Sequence, residues 1–116
     1  GIELNKRAHQ YAVKNASLNK VRNVHLFQGD VKQVLPTMKT SFDRIIMPLP
    51  KEAPKYLDLA LKHLKPKGVI HLYIFETGRD IKELVQGYQQ RFKSVKAVRC
   101  GQYAPRAYRI CLDLRK

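Results

Sequence analysis

No Gly-x-Gly pattern occurs anywhere in these 116 residues, and glycine itself appears six times. The glycine-rich turn that lets backbone amides approach a nucleotide phosphate is therefore not encoded in this stretch. Tryptophan is absent, and cysteine is limited to Cys100 and Cys111. Two thiols supply neither a zinc cluster nor the disulfide framework of a small secreted domain. Free thiols in a reducing compartment are expected, with a Cys100–Cys111 cross-strand disulfide as the alternative, because a hairpin closing between them would set them nearly opposite. No apolar run approaches the ~20 residues of a membrane span. The opening residues, Gly1-Ile2-Glu3-Leu4-Asn5, have neither the basic region nor the apolar core of a signal peptide. A cytoplasmic chain with no membrane partner is the expectation. His9, His25, His63 and His71 are scattered without ligand spacing, so no metal site is expected.

Acidic residues are also scarce, nine against 23 lysines and arginines, which leaves a formal net charge of +14. The basic residues run through every segment instead of forming a tail, so the folded surface itself must be basic. Such a surface attracts phosphate backbones by long-range steering and counterion release. What is plentiful is ordinary: 44% hydrophobic and 28% charged residues fit one soluble globular domain.

In order, Gly1 to Leu4 reads as the end of a strand, and Asn5 as the cap of a helix with Ala8, Tyr11, Ala12 and Asn15 or Ala16 facing inward. Val24 to Gln28 forms a second strand, closed by Gly29-Asp30. A short helix then runs from Val31 to Leu35 and stops at Pro36. Arg44 to Met47 is a buried strand entering a Pro48-Leu49-Pro50 turn. The next helix carries Ala53, Leu57, Ala60, Leu61 and Leu64 on one face and ends at Lys65-Pro66-Lys67-Gly68. Val69 to Phe75 is apolar enough for a strand buried on both faces. A helix led by Gly78 follows, with Ile81, Leu84, Val85, Tyr88 and Phe92 at helical spacing. Ser94–Tyr103 and Tyr108–Leu114 then pair antiparallel around Ala104-Pro105-Arg106-Ala107. Strand and helix alternate four times before this hairpin, which predicts an α/β fold with a mostly parallel sheet and a terminal antiparallel hairpin.

Open α/β sheets bind ligands beyond the carboxyl ends of their strands. Three such ends carry Glu3, Asp30 and the Pro48-Leu49-Pro50 turn. A strand-end acid can accept both hydroxyls of a ribose, and an acid one strand further on can accept from an adenine amino group. Taken singly, Asp30 is equally a helix cap, and the two prolines are equally a stop signal. Arg99, Arg106 and Arg109 flank Tyr103 and Tyr108, a basic and aromatic mix suited to RNA, although ordinary solvated charges on a hairpin would read the same way.

Ile2-Glu3-Leu4-Asn5, Gly29-Asp30, Asp43 through Ala53, and Tyr103-Ala104-Pro105-Arg106-Ala107-Tyr108-Arg109-Ile110-Cys111-Leu112-Asp113 occur in one order. Together they resemble the carboxy-terminal part of the archaeal and eukaryotic tRNA guanine-37 N1-methyltransferases, class I enzymes with a Rossmann-like sheet. The resemblance implies S-adenosylmethionine as cofactor, contacted by Glu3 at the ribose, Asp30 at the adenine, and Leu4, Asn5, Val31 and Pro48 nearby. It implies tRNA as partner, with Pro48, Leu49, Pro50, Tyr103 and Arg106 toward the substrate. The chain departs from the family at Pro48, where many members carry an asparagine whose amide can bond a base. It also lacks the family's first strand, glycine-rich loop and general base. These 116 residues are thus expected to be a fragment or half of an associating protein, with strand edges open to self-association or to an amino-terminal portion. Aminocarboxypropyl transfer to tRNA and non-catalytic RNA binding are the alternative functions.

Overall fold

The computed structural model describes residues 1–49, 51–77 and 81–116. They form two compact units, Gly1–Lys39 and Thr40–Lys116. The sheets divide the same way, into a two-stranded and a four-stranded sheet.

In the first unit β1 (Ile2–Glu3) pairs in parallel with β2 (Phe27–Gln28), Ile2 opposite Phe27 and Glu3 opposite Gln28. Between them runs α1 (Lys6–Leu18). Asn5 caps it, its side-chain oxygen accepting from the Ala8 amide at 3.0 Å. The helix ends where Lys20 turns left-handed, φ 54°. Val21 N–H then reaches back to the Ala16 carbonyl and Lys20 N–H to that of Ser17, the paired bonds that close many helices. The expected inward stripe is only shallowly covered: no residue of α1 is buried, and Tyr11 remains 53% exposed. Two strands of two residues each offer the helix too little surface to bury a full face. The second strand is correspondingly shorter than the expected Val24–Gln28. Asp30 caps α2 (Val31–Val34), which tightens into a 3-10 turn over Leu35–Thr37 and so carries on through Pro36.

In the second unit the sheet order is β3 (Phe42–Met47), β4 (Leu64–Thr77), β6 (Ala107–Arg115), β5 (Ser94–Ala104). β3 and β4 are parallel, and both pairings of β6 are antiparallel. Parallel and antiparallel pairings are therefore equal in number across the described strands, fewer parallel than expected. A 3-10 turn (Ala53–Tyr56) leads into α3 (Leu57–Lys62), and α4 (Ile81–Gln89) precedes β5. Ile70, Leu72 and Ile74 of β4 join Ile110, Leu112 and Leu114 of β6, Ala53, Leu57, Ala60 and Leu64, and Phe92 in one core. Helix spacing had identified Ala53, Leu57, Ala60 and Phe92, and strand alternation Ile110, Leu112 and Leu114, because both periods deliver one face to the interior; Leu64, expected on the helix, begins β4.

Three expectations change here. β3 is an edge strand among the described strands, and Ile46 is 61% exposed, because it lies beside His71 on the face opposite the core while Ile45 lies beside Ile70. β4 is fully buried on one face, whereas His71, Tyr73 and Phe75 on the other are half-buried. Lys65-Pro66-Lys67-Gly68 does not end an element before the strand; it lies within β4 as an irregularity, the pairing jumping from Phe42–Leu64 to Arg44–Val69. Gly68 is required there, since a Cβ would sit 2.6 Å from Leu64 Cδ1 and 3.1 Å from the Asp43 carbonyl. Lys65 Nζ donates to Asp43 Oδ2 at 2.8 Å beside it, holding that exposed carboxyl below its usual range. Gly78 lies outside the described residues.

Candidate nucleotide and RNA site

In the first unit, parallel pairing places the acids at neighbouring strand ends. Gly29 N–H donates to the Glu3 carbonyl at 2.9 Å, and Gln28 Nε2 to the Leu4 carbonyl at 3.1 Å, tying the two ends together. Glu3 Oε1 accepts from the Asn5 amide at 2.7 Å. Asp30 Oδ1 accepts from the Lys32 amide at 2.8 Å. Each carboxylate is thereby oriented by a local amide through one oxygen. Because a carboxylate oxygen carries two lone pairs, Glu3 retains capacity for both hydroxyls of a ribose, and Asp30 for an amino donor. Glu3, Leu4 and Asn5 are exposed, and Asp30 and Val31 half-buried, so all five can be reached by a ligand. Gly29 secures the turn: its φ is +147°, and a Cβ would stand 2.9 Å from Val34 Cγ2. The Asp30 cap and the strand-end acid are thus the same residue, and the two readings do not exclude each other.

In the second unit, Pro48 and Leu49 follow β3, both exposed. The Leu49 carbonyl accepts from the Ala53 amide at 2.9 Å and the Glu52 amide at 3.2 Å, fixing the turn into the next helical segment. Pro48 lacks an amide hydrogen, so this turn can contribute shape and carbonyl acceptors. Pro50 lies outside the described residues. The hairpin carries the expected aromatic and basic groups. Tyr103 rests on Phe75, ring centroids 4.3 Å apart, and is half exposed. The Arg109 guanidinium lies 5.9 Å from the Phe75 ring and that of Arg99 4.6 Å from Tyr108. Arg106, at the tip, has a left-handed backbone, φ 58°. A cleft of about 480 Å³ lies between the Ala53–Lys62 segment and α4, lined by Pro54, Leu57, Leu84 and Tyr88 among others.

The two cysteines are free, Cys100 exposed and Cys111 buried. They do not face each other, because two register shifts, between Gln102 and Ala104 and between Arg99 and Gly101, leave Val98 opposite Cys111. Burial above all, with Asp113 beside it, pushes the Cys111 thiol up to about 11. Although the histidines have no ligand spacing in sequence, β4–β6 pairing gathers His71, Cys111 and Asp113. Their sequence separation gave no such signal, but the two-residue step from Cys111 to Asp113, opposite an apolar strand containing a histidine, was visible.

The TRM5/TYW2 methyltransferase domain family matches residues 1–100. The tRNA (guanine(37)-N(1))-methyltransferase Trm5b of Pyrococcus abyssi is 34% identical over 97% of this chain and 36% of its own length. A tRNA(Phe) (4-demethylwyosine(37)-C(7)) aminocarboxypropyltransferase of Methanocaldococcus jannaschii is 38% identical over 62% of the chain and 28% of its own length. The crystal structure of M. jannaschii TYW2 in complex with AdoMet superimposes with a TM-score of 0.76 at 26% identity, covering 97% of this chain and 54% of that one. This chain therefore spans about a third of the curated relatives it matches. With the expected α/β elements in the expected order and residues 1–100 of its 116 matched by the family's domain, the chain belongs to the TRM5/TYW2 methyltransferase family.

Proposed function

We propose that this chain is the carboxy-terminal part of the catalytic domain of a tRNA guanine-37 N1-methyltransferase and binds S-adenosylmethionine. The observation that carries this reading is the pair of oriented acids at adjacent parallel strand ends, Glu3 and Asp30, in a chain of this family. Glu3 receives the ribose hydroxyls and Asp30 the adenine amino group, with Leu4, Asn5 and Val31 against the nucleoside. Pro48, Leu49 and Pro50 border the methyl donor and the target guanine, while Tyr103 and Arg106 meet the RNA. S-adenosylmethionine supplies an electrophilic methyl on a sulfonium. The residues named here position two reactants for an in-line displacement, which is entropic and orientational work. The base that takes the N1 proton is not assigned among these residues. The basic surface of net charge +14 supports tRNA as the polyanion. The open edge of β3 suits a further strand from an amino-terminal portion of the protein.

Calorimetry with S-adenosylhomocysteine tests the binding half of the proposal. Glu3→Gln and Asp30→Asn should each weaken binding about tenfold or more, the cost of one charged hydrogen bond. Asparagine still caps α2, so the second variant isolates charge from fold. Salt-sensitive tRNA binding with no heat from S-adenosylhomocysteine would replace this reading with a non-catalytic RNA-binding module. Incubation with labelled cofactor and guanosine-37 tRNA, alone and with an amino-terminal portion, should give methylation only in the second case. The family's aminocarboxypropyltransferase member favours one rival, and a product heavier than a methyl group allows would identify it.

A further inference from the structure

The face of the four-stranded sheet opposite the helix-packed core carries a cluster that methyl transfer does not use. Antiparallel pairing sets His71 opposite Asp113 and Tyr73 opposite Cys111, so these four side chains share that face. His71 Nδ1 lies 2.7 Å from Asp113 Oδ1, and the Cys111 thiol lies 3.6 Å from the same oxygen. One donor atom from each of the three residues lies within 4.8 Å of the other two. His71 Nε2 is buried and meets no hydrogen-bond partner among the described residues.

We propose that His71, Cys111 and Asp113 form a three-ligand site for a thiophilic divalent cation, zinc(II) being the model occupant. Imidazole, thiolate and carboxylate together suit a borderline-soft ion, whereas calcium and magnesium select oxygen alone. In a tetrahedral zinc site, bonds of about 2.0–2.3 Å set the donor atoms roughly 3.3–3.5 Å apart. Asp113 and His71, 2.7 Å apart, must therefore part by roughly 0.6–0.8 Å and the His71–Cys111 pair must draw in, which side-chain rotation can supply.

The protons balance as well. Asp113 Oδ1 now accepts from both the imidazole and the thiol. On metal binding the Cys111 S–H bond breaks, its proton leaves to solvent and a sulfur–metal bond forms. The His71 ring proton moves from Nδ1 to Nε2, where no protein hydrogen bond is displaced. A site of charge −1 becomes neutral by this exchange. The His71 and Asp113 side chains are 20% and 31% exposed, which leaves a route for water to the fourth position. Three protein ligands with one open position is the pattern of sites that exchange a ligand, not of closed structural sites.

Titration of the 116-residue chain with cobalt(II) and then zinc(II) tests this. One equivalent of cobalt should produce sulfur-to-metal charge-transfer absorption, and zinc should displace it. Cys111→Ser should remove that absorption and weaken zinc binding roughly a hundredfold, since loss of even an outer partner costs about 10–100-fold. His71→Gln should weaken binding comparably while keeping the sulfur band, and Cys100→Ser should change nothing; far-ultraviolet circular dichroism checks the fold of each. No charge-transfer band in the native chain, or a band that follows Cys100 instead of Cys111, overturns the proposal. Neither cofactor nor tRNA enters the measurement, so its failure leaves the methyltransferase reading untouched.

Discussion

The two units are built by different means. Leu35 is the one buried residue described in Gly1–Lys39, while every member of the continuous core belongs to Thr40–Lys116. The first unit is held by end effects: the Asn5 and Asp30 caps, the left-handed stop at Lys20, and backbone bonds tying β1 to β2. A 13-residue helix without a buried face is marginal in water by itself. The second unit is held by burial, with Ile70, Leu72, Leu112 and Leu114 losing all contact with solvent. Capping specifies local shape with little cohesion, and burial specifies cohesion. The acids assigned to the nucleoside sit in the weakly cohesive unit, so ligand binding there should order the chain as well as occupy it.

Truncation makes the widest gap between the units. Leu112→Ala should cost about 2–5 kcal/mol in urea denaturation. Leu18→Ala, at a side chain 69% exposed, should stay within about 0.5 kcal/mol. Equal losses at the two positions would break the contrast. A smaller effect is expected at the strand irregularity of the second unit. Gly68→Ala forces a methyl against Leu64 and the Asp43 carbonyl, and should lower stability by about 1–3 kcal/mol. An unchanged midpoint there would mean that β4 yields more readily than the core it carries.

The smallest effect separates the two cysteines. At neutral pH a thiol reagent should label Cys100 promptly and leave Cys111 unmodified in the folded chain. Burial raises Cys111 to about 11, whereas an unfolded thiol ionises near 8.5. The folded state therefore holds a proton that the unfolded state releases above that value. This contribution to stability is whole below about 8.5 and declines as pH rises toward 11. Prompt labelling of both thiols at neutral pH would show that the β4–β6 face opens freely.

Most elements were legible because their signals are local. Asn5 and Asp30 announce helix starts, and alternation in Tyr108, Ile110, Leu112 and Leu114 gives a half-covered strand. What escaped depends on neighbours along the sheet. Ile45 and Ile46 are equally apolar in sequence, yet register puts Ile45 beside Ile70 on the core face and Ile46 beside His71 on the other, where it is exposed. Two irregularities in β5 move Cys100 off Cys111 by two residues, and no count of residues from the turn reveals a bulge. His71 met Cys111 and Asp113 through register, which only pairing defines. The strand-end acids were readable because position at the end of a strand is itself a local property.

The tip of the hairpin sets two selections against each other. Arg106 holds a left-handed backbone that glycine adopts without cost and other residues at about 1–2 kcal/mol. A population evolving for thermal resistance alone would drift to glycine at position 106. One evolving to hold RNA would keep the cation and bear the strain.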